Sequence, residues 1–285
     1  MMVPPSQWLR PGINTSPWPY MKFLRARGLS QEIFTAIEVN SAASNRRVVT
    51  EIGSDERTVA FKLHIDSPLP VKEWSLSFGD AIHNYRAALD SLAWELAHWD
   101  GAEPAEEVKR KIYFPLCSTQ QAWELQLSGP LATVPEHLAG RLYGVQPLHL
   151  ASPRDAVGLA LHELDIRDKH KACVEASTHT HSAGRMIMEL TDADGKKVGF
   201  NPRSLRIHRP QPFIDGQTLF SVVTDSPVAK AESAMNVPVQ FVIHLQDGRT
   251  VELFNFLHAV DTYLVQVFDL VYRGEDWVRP PFAVS

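Results

Sequence analysis

Cysteine is nearly absent from this chain. Cys117 and Cys173 are the two in 285 residues, too few for a disulfide framework, and no Cys-x-x-Cys pair exists to ligate a metal. Both read as small hydrophobes in the interior, reduced and unlinked. No run of about 18 apolar residues occurs, so no membrane span is expected. The first residues, MMVPPSQWLRPG, hold no early Lys or Arg and no apolar stretch, so a signal peptide is not expected. Basic charge is scarce as well. Lys and Arg number 28 against 33 Asp and Glu, a formal net charge of −5. No global field draws nucleic acid or anionic lipid, and the densest basic run is Lys109-Arg110-Lys111. Gly-x-Ser-x-Gly, P-loop and Gly-x-Gly-x-x-Gly signatures are all missing. The expectation is a cytoplasmic protein with no cofactor, no metal and no membrane partner. Nucleic acid is not favoured as a partner by the net charge, and a homodimer is left open.

What is present is ordinary globular material. Hydrophobic residues make up 44% and charged residues 21%, which excludes wholesale disorder. Pro4, Pro5, Pro11, Pro17 and Pro19 crowd residues 1–20 and predict an extended leader there. A helix is predicted from Ser30 to about residue 44. Val48 and Val49, a Gly53-Ser54-Asp55 turn, and alternating Val59, Phe61, Leu63 and Ile65 predict a β-hairpin. The clearest helix spans 75–99, where Phe78, Ile82, Tyr85, Leu89, Leu92 and Leu96 make one apolar stripe. Shorter helices are expected at 118–127 and 135–142, and a longer one at 153–176. From 183 onward the pattern turns to β: a hairpin around Asp194-Gly195, then strands at 219–223, 237–245 and 250–253. Leu257, Val260, Leu264, Val267 and Val271 predict a closing helix over 254–272.

This order predicts an α+β fold: a central helical bundle, a small N-terminal β-hairpin, and a C-terminal antiparallel sheet capped by a helix. The expected organisation is a Pro-rich leader at 1–20, a helical core with its hairpin at 21–178, and a β segment with the last helix at 179–285, packed on the core as one unit.

Polar chemistry concentrates on two helices. At 100° per residue, His83, Arg86 and Asp90 fall within about a 60° arc, shared with Gly79 and Trp94. One reading is a solvated face with an i, i+4 ion pair. The other, favoured by the small and aromatic neighbours, is a packed polar network that must be fully paired. On the helix at 153–176, Asp168 continues the stripe of Val157, Leu161 and Leu164, with Asp165 at its edge. A carboxylate in such a stripe needs a cation; Arg86 is the preferred partner and Lys169 or Lys171 the default. His83, Arg86, Asp90, Asp168, Lys169 and His170 are therefore the candidate binding or structural cluster, with no catalytic residue assigned. His179-Thr180-His181 matches no zinc spacing, and Asp192-Ala193-Asp194-Gly195 reads as a turn.

Four segments carry a resemblance. Residues 79–97, GDAIHNYRAALDSLAWELA, resemble a motif, GD-x-LHNLRSALDHL-x-W-x-LA, of widespread uncharacterised bacterial and phage proteins. Ile112–Leu116 (IYFPL), Gln146-Pro147 and Leu161–Lys171 (LHELDIRDKHK) resemble that family's later FP, QP and DKHR segments in the same order. The match covers about 30–175. It implies no set activity; a binding or regulatory module, in a phage–host setting, is the expected role. The motif is also similar to the Arg-x4-His signature of HEPN domains, helical bundles that include ribonucleases. Arg86 matches the Arg, and Ser91 stands where the His would be. A hydroxyl cannot replace imidazole as a base near neutral pH, so the resemblance implies a HEPN-like ribonuclease only as the alternative, beside a purely structural or interaction role.

Overall fold

The computed structural model describes residues 18–42, 46–168, 174–178, 187–207, 214–234 and 239–273. The fold is α+β. Helices α1 (Trp18–Ala42), α2 (Val71–Ala97), α3 (Glu106–Lys109), α4 (Gln120–Leu127), α5 (Glu136–Gly144), α6 (Val157–Asp168) and α7 (Leu253–Arg273) are joined by strands β1 (Arg46–Ile52), β2 (Thr58–Ile65), β3 (Val174–Thr178), β4 (Ile187–Thr191), β5 (Arg206–Ile207), β6 (Thr218–Val223), β7 (Lys230–Ala234), β8 (Val239–His244) and β9 (Thr250–Glu252). No described helix is long and apolar enough to cross a membrane. The chain divides into two compact units: Met1–Thr35 with Lys72–Val174 and Ile243–Ser285, and Ala36–Val71 with Glu175–Val242. The division is discontinuous and does not follow the expected boundary at 178/179. The N-terminal hairpin groups with β4–β7, and the last helix groups with the other helices and β9.

The helical unit is built on three long helices whose apolar stripes are buried. α1 starts at Trp18, inside the expected leader and well before Ser30. Pro19 falls in its first turn, where a missing N–H costs nothing and a fixed φ helps. Gly28 inside the helix costs about 1 kcal/mol in propensity, offset by the buried series Tyr20, Phe23, Ala26, Ser30 and Ile33, spaced three to four residues apart. Phe23 meets Phe268 of α7 edge-on at 5.6 Å and Tyr85 of α2 at 6.1 Å. Phe78, Ile82, Leu89 and Leu92 of α2 and Leu257, Val260, Leu264 and Val267 of α7 complete this core. The Thr133 hydroxyl donates to the Ala97 carbonyl at 2.7 Å and satisfies the end of α2. The predicted helix at 153–176 is shorter: a single 3₁₀ turn at Pro153–Asp155 precedes α6, whose described residues run to Asp168, and Val174 already lies in a strand.

The second unit holds a sheet in the order β1-β2-β6-β5 and a two-stranded sheet β4-β7. The β1–β2 hairpin is antiparallel, with Ile52 opposite Val59 and Arg46 opposite Ile65. Phe61 lies opposite Phe220 of β6, and the rings stack at 4.3 Å. Val59, Leu63, Leu190, Leu219, Val222 and Val228 close the core around them. The expected hairpin at Asp194-Gly195 is present but short: Thr191 bridges Lys197 antiparallel, and the Val198 amide donates to the Leu190 carbonyl at 2.8 Å. Asp192 accepts from the Asp194 and Lys196 amides in its tight turn, and the long partner of β4 is β7, with Ile187 opposite Ala234.

The turn between β1 and β2 explains that hairpin's register. The Asp55 carboxylate accepts from the Arg57 amide, the Thr58 amide and the Thr58 hydroxyl, the last at 2.6 Å. These donors favour the charged form, and the Thr58 hydroxyl chiefly holds the Asp55 carboxyl down at about 2, from an ordinary 3.8. The support this gives the turn is complete above the ordinary value and fades as pH falls toward 2. A carboxyl-carbon NMR titration should find Asp55 titrating near 2, and Thr58→Val should raise it part of the way back, because the Arg57 and Thr58 amides still donate. An Asp55 that already titrates in the ordinary carboxyl range in the parent protein would refute this turn.

Candidate functional site

Residues 112–117 run through the helical unit without regular structure, and Ile112, Phe114 and Cys117 are buried. Irregular backbone in an interior must find hydrogen-bond partners among side chains. Here the motif residues supply them. Arg86 Nη2 lies 2.7 Å from Asp90 Oδ1 and donates to the Phe114 carbonyl at 3.0 Å. The Phe114 amide donates to the same Asp90 oxygen at 2.9 Å. One ion pair thus holds both backbone groups of one residue. Three residues on, the Cys117 amide donates to Gln146 Oε1 at 2.9 Å, the Gln146 amide nitrogen donates to the Leu142 carbonyl at 2.9 Å, and the Leu148 amide donates to the Cys117 carbonyl. Three of the four resembling segments meet in this arrangement: α2, the Ile112–Leu116 segment and the Gln146-Pro147 turn.

The burial of Arg86 decides between the two readings of the α2 polar face. The residue is 6% exposed, so the solvated-face reading is excluded. Its Nη1 is buried and has no hydrogen-bond partner among the described residues. Asp90 sits at the edge, its side chain one-third exposed at 33%. Burial pushes its carboxyl above the ordinary range, against the pull of Arg86 and the Phe114 amide; Asp165 adds to the rise and His162 opposes it. Tyr263 of α7 lies in the field of Arg86, and burial raises its hydroxyl pKa despite that charge.

The predicted cluster is only partly assembled. Arg86 and Asp90 pair as expected. His83 does not join them: its Nδ1 is 3.0 Å from Asp165 Oδ1, which ties α2 to α6, and its ring is mostly exposed. Asp168 ends α6, and its side chain, together with Lys169 and His170, lies outside the described residues; so do Lys171, Cys173 and His179-Thr180-His181. Cys117 is buried and free, and its thiol pKa is raised by that burial. Among the described residues no group of three His, Cys, Asp or Glu side chains could hold a metal ion. Phe114, Gln146 and Asp165 entered the sequence reading only as motif or stripe-edge members with no role assigned, and Tyr263 not at all. A buried Gln beside a Pro turn was a usable signal for one of them, because an amide side chain can satisfy a donor and an acceptor together.

Beyond Asp90 lies a cleft of about 620 Å³, lined among the described residues by Trp18, Asp90, Ser91, Trp94, Glu95 and His98. Asp90 and Trp94 lie four residues apart on α2 with Ser91 and Glu95 beside them, and His98 follows in the turn just past its end. The Trp94 ring is 45% exposed and stands 4.3 Å from the His98 imidazole. Chemically, the buried guanidinium is committed to the interior and the cleft offers aromatic faces and carboxylate oxygen. No protein-family model matches this chain, and no curated protein or solved structure does either.

Proposed function

We propose that the protein is a cytoplasmic binding or regulatory module of the kind its family resemblance implies. Arg86 and Asp90 serve as a structural clasp, and the cleft beyond Asp90 is the recognition site. The observation that carries this reading is the burial of Arg86 with its charge spent on Asp90 and the Phe114 carbonyl. An arginine that stabilises a phosphate in a transition state must reach the ligand, and this one is turned inward. Ser91, at the place of the HEPN histidine, lines the cleft without supplying a base.

One observation favours the enzyme reading, and it concerns His83. A carboxylate holds its Nδ1 while most of the ring faces solvent, which is how a general base is oriented. Incubation of the pure protein with labelled single-stranded RNA and transfer RNA separates the two. No cleavage is expected from the parent. Cleavage that is lost in His83→Ala and in His170→Ala would make a HEPN-like ribonuclease the better reading.

A further inference from the structure

We propose that the cleft binds a small organic cation bearing N–H donors, a guanidinium or a primary ammonium group, between the Trp94 ring and the free oxygen of Asp90. The proposal rests on the reading of this cleft as the recognition site.

The first support is how Asp90 spends its two oxygens. Arg86 and the Phe114 amide both bond to Oδ1; among the described residues none bonds to Oδ2. A carboxylate has about four lone-pair sites, so the clasp leaves acceptor capacity on a group that it also holds rigid. Asp90, one-third exposed, lines the cleft with that capacity unused. A fixed acceptor loses little entropy when a donor arrives, which is what preorganisation contributes to affinity.

The second support is the aromatic lining. Trp is the strongest cation–π partner, and two indoles, Trp18 and Trp94, line the same cleft, both well exposed. An ammonium already stands over one of them: Lys22 Nζ is 5.4 Å from the centre of the Trp18 ring. Neither Lys nor Arg is among the described lining residues, while Glu95 adds a second carboxylate. Glu95, which also accepts from the Tyr272 hydroxyl at 3.5 Å, stands beside Asp90 in the lining, so an anion would meet two carboxylates. A quaternary ammonium could use the rings but not the Asp90 acceptor, which is why the proposal names cations with N–H donors.

The test labels the protein with 5-fluorotryptophan and assigns Trp94 and Trp18 by substitution. The ¹⁹F spectrum is then followed during titration with agmatine, butylammonium, tetramethylammonium, butyramide and butyrate. Agmatine and butylammonium are expected to shift the Trp94 resonance and saturate, tetramethylammonium to bind more weakly, and the neutral and anionic probes to leave it unmoved. By calorimetry, Trp94→Ala should weaken agmatine about tenfold, Trp94→Phe should restore part of the loss, and Glu95→Gln should weaken it about threefold. Asp90 itself is left intact because the clasp depends on it. Saturable binding of butyramide or butyrate, with no response to the cations, would overturn the cation assignment and leave the cleft as a recognition site. Silence from all five probes, or cation binding that Trp94→Ala leaves unchanged, would overturn the proposal, and silence would remove the cleft as a recognition site as well.

Discussion

Replacing Arg86 with Ala is expected to destabilise the helical unit by about 3–5 kcal/mol, the usual cost of removing one partner from a buried ion pair. Three losses combine. The Asp90 carboxylate, already raised by burial, loses its counter-charge. The Phe114 carbonyl loses its donor, and an unsatisfied buried acceptor alone costs about 1–3 kcal/mol. The guanidinium also leaves a cavity beside the Phe114 carbonyl. Arg86→Lys should recover little, because a point ammonium cannot keep the planar geometry that serves a carboxylate and a carbonyl at once. Chemical denaturation reads this directly as a lower midpoint. A midpoint unchanged in Arg86→Ala would mean that the pair is not a clasp.

The second large effect is expected at Gly158 on α6. A Cβ built there would stand 2.8 Å from Leu116 Cδ2, 3.1 Å from the Tyr263 hydroxyl oxygen and 3.2 Å from Tyr263 Cε1. The Leu116 methyl is the end of a flexible side chain and can turn away. The Tyr263 ring is buried at 6% exposure and has no such freedom. Gly158→Ala sets overpacking of about 1–3 kcal/mol against a helix-propensity gain of about 1 kcal/mol, so a small loss is expected. Gly158→Val adds two methyl groups toward the same ring and surrenders most of the propensity gain, and about 3 kcal/mol is expected. Denaturation of the two variants should rank Ala above Val by a clear margin. Equal stability of Gly158→Val and the parent would show that α6 does not pack this closely on Tyr263.

Legibility in the sequence followed how local each signal was. The α2 stripe and the β1–β2 hairpin could be read because periodicity and turn chemistry lie within a few residues of one another. The start of α1 could not, since Pro19 reads as a breaker unless it is known to sit in the first turn. The helix expected to reach 176 overran into β3, where the β-branched Val174 and Thr178 were the contrary signal. The partner of β4 was hidden: Lys230-Ala-Glu-Ser-Ala has no apolar alternation, and its pairing joins positions about 40 residues apart. The site divided in the same way. The pairing of Arg86 with Asp90 follows from i, i+4 spacing; its burial does not follow from Trp94 on the same arc, because that ring faces the open cleft. That the pair serves the backbone of Phe114 is a tertiary fact, and no side-chain pattern announces a backbone partner.

The central claim is that Arg86 and Asp90 act on each other to hold Phe114 and are not a reactive pair. A double-mutant cycle of Arg86→Met and Asp90→Leu, read by chemical denaturation, tests this most directly. Replacing both members of a buried pair with apolar groups is far less harmful than stranding one. The double variant should therefore be more stable than the sum of the single losses predicts, by about 2 kcal/mol, within the range for residues in direct contact. Losses that simply add would contradict the clasp.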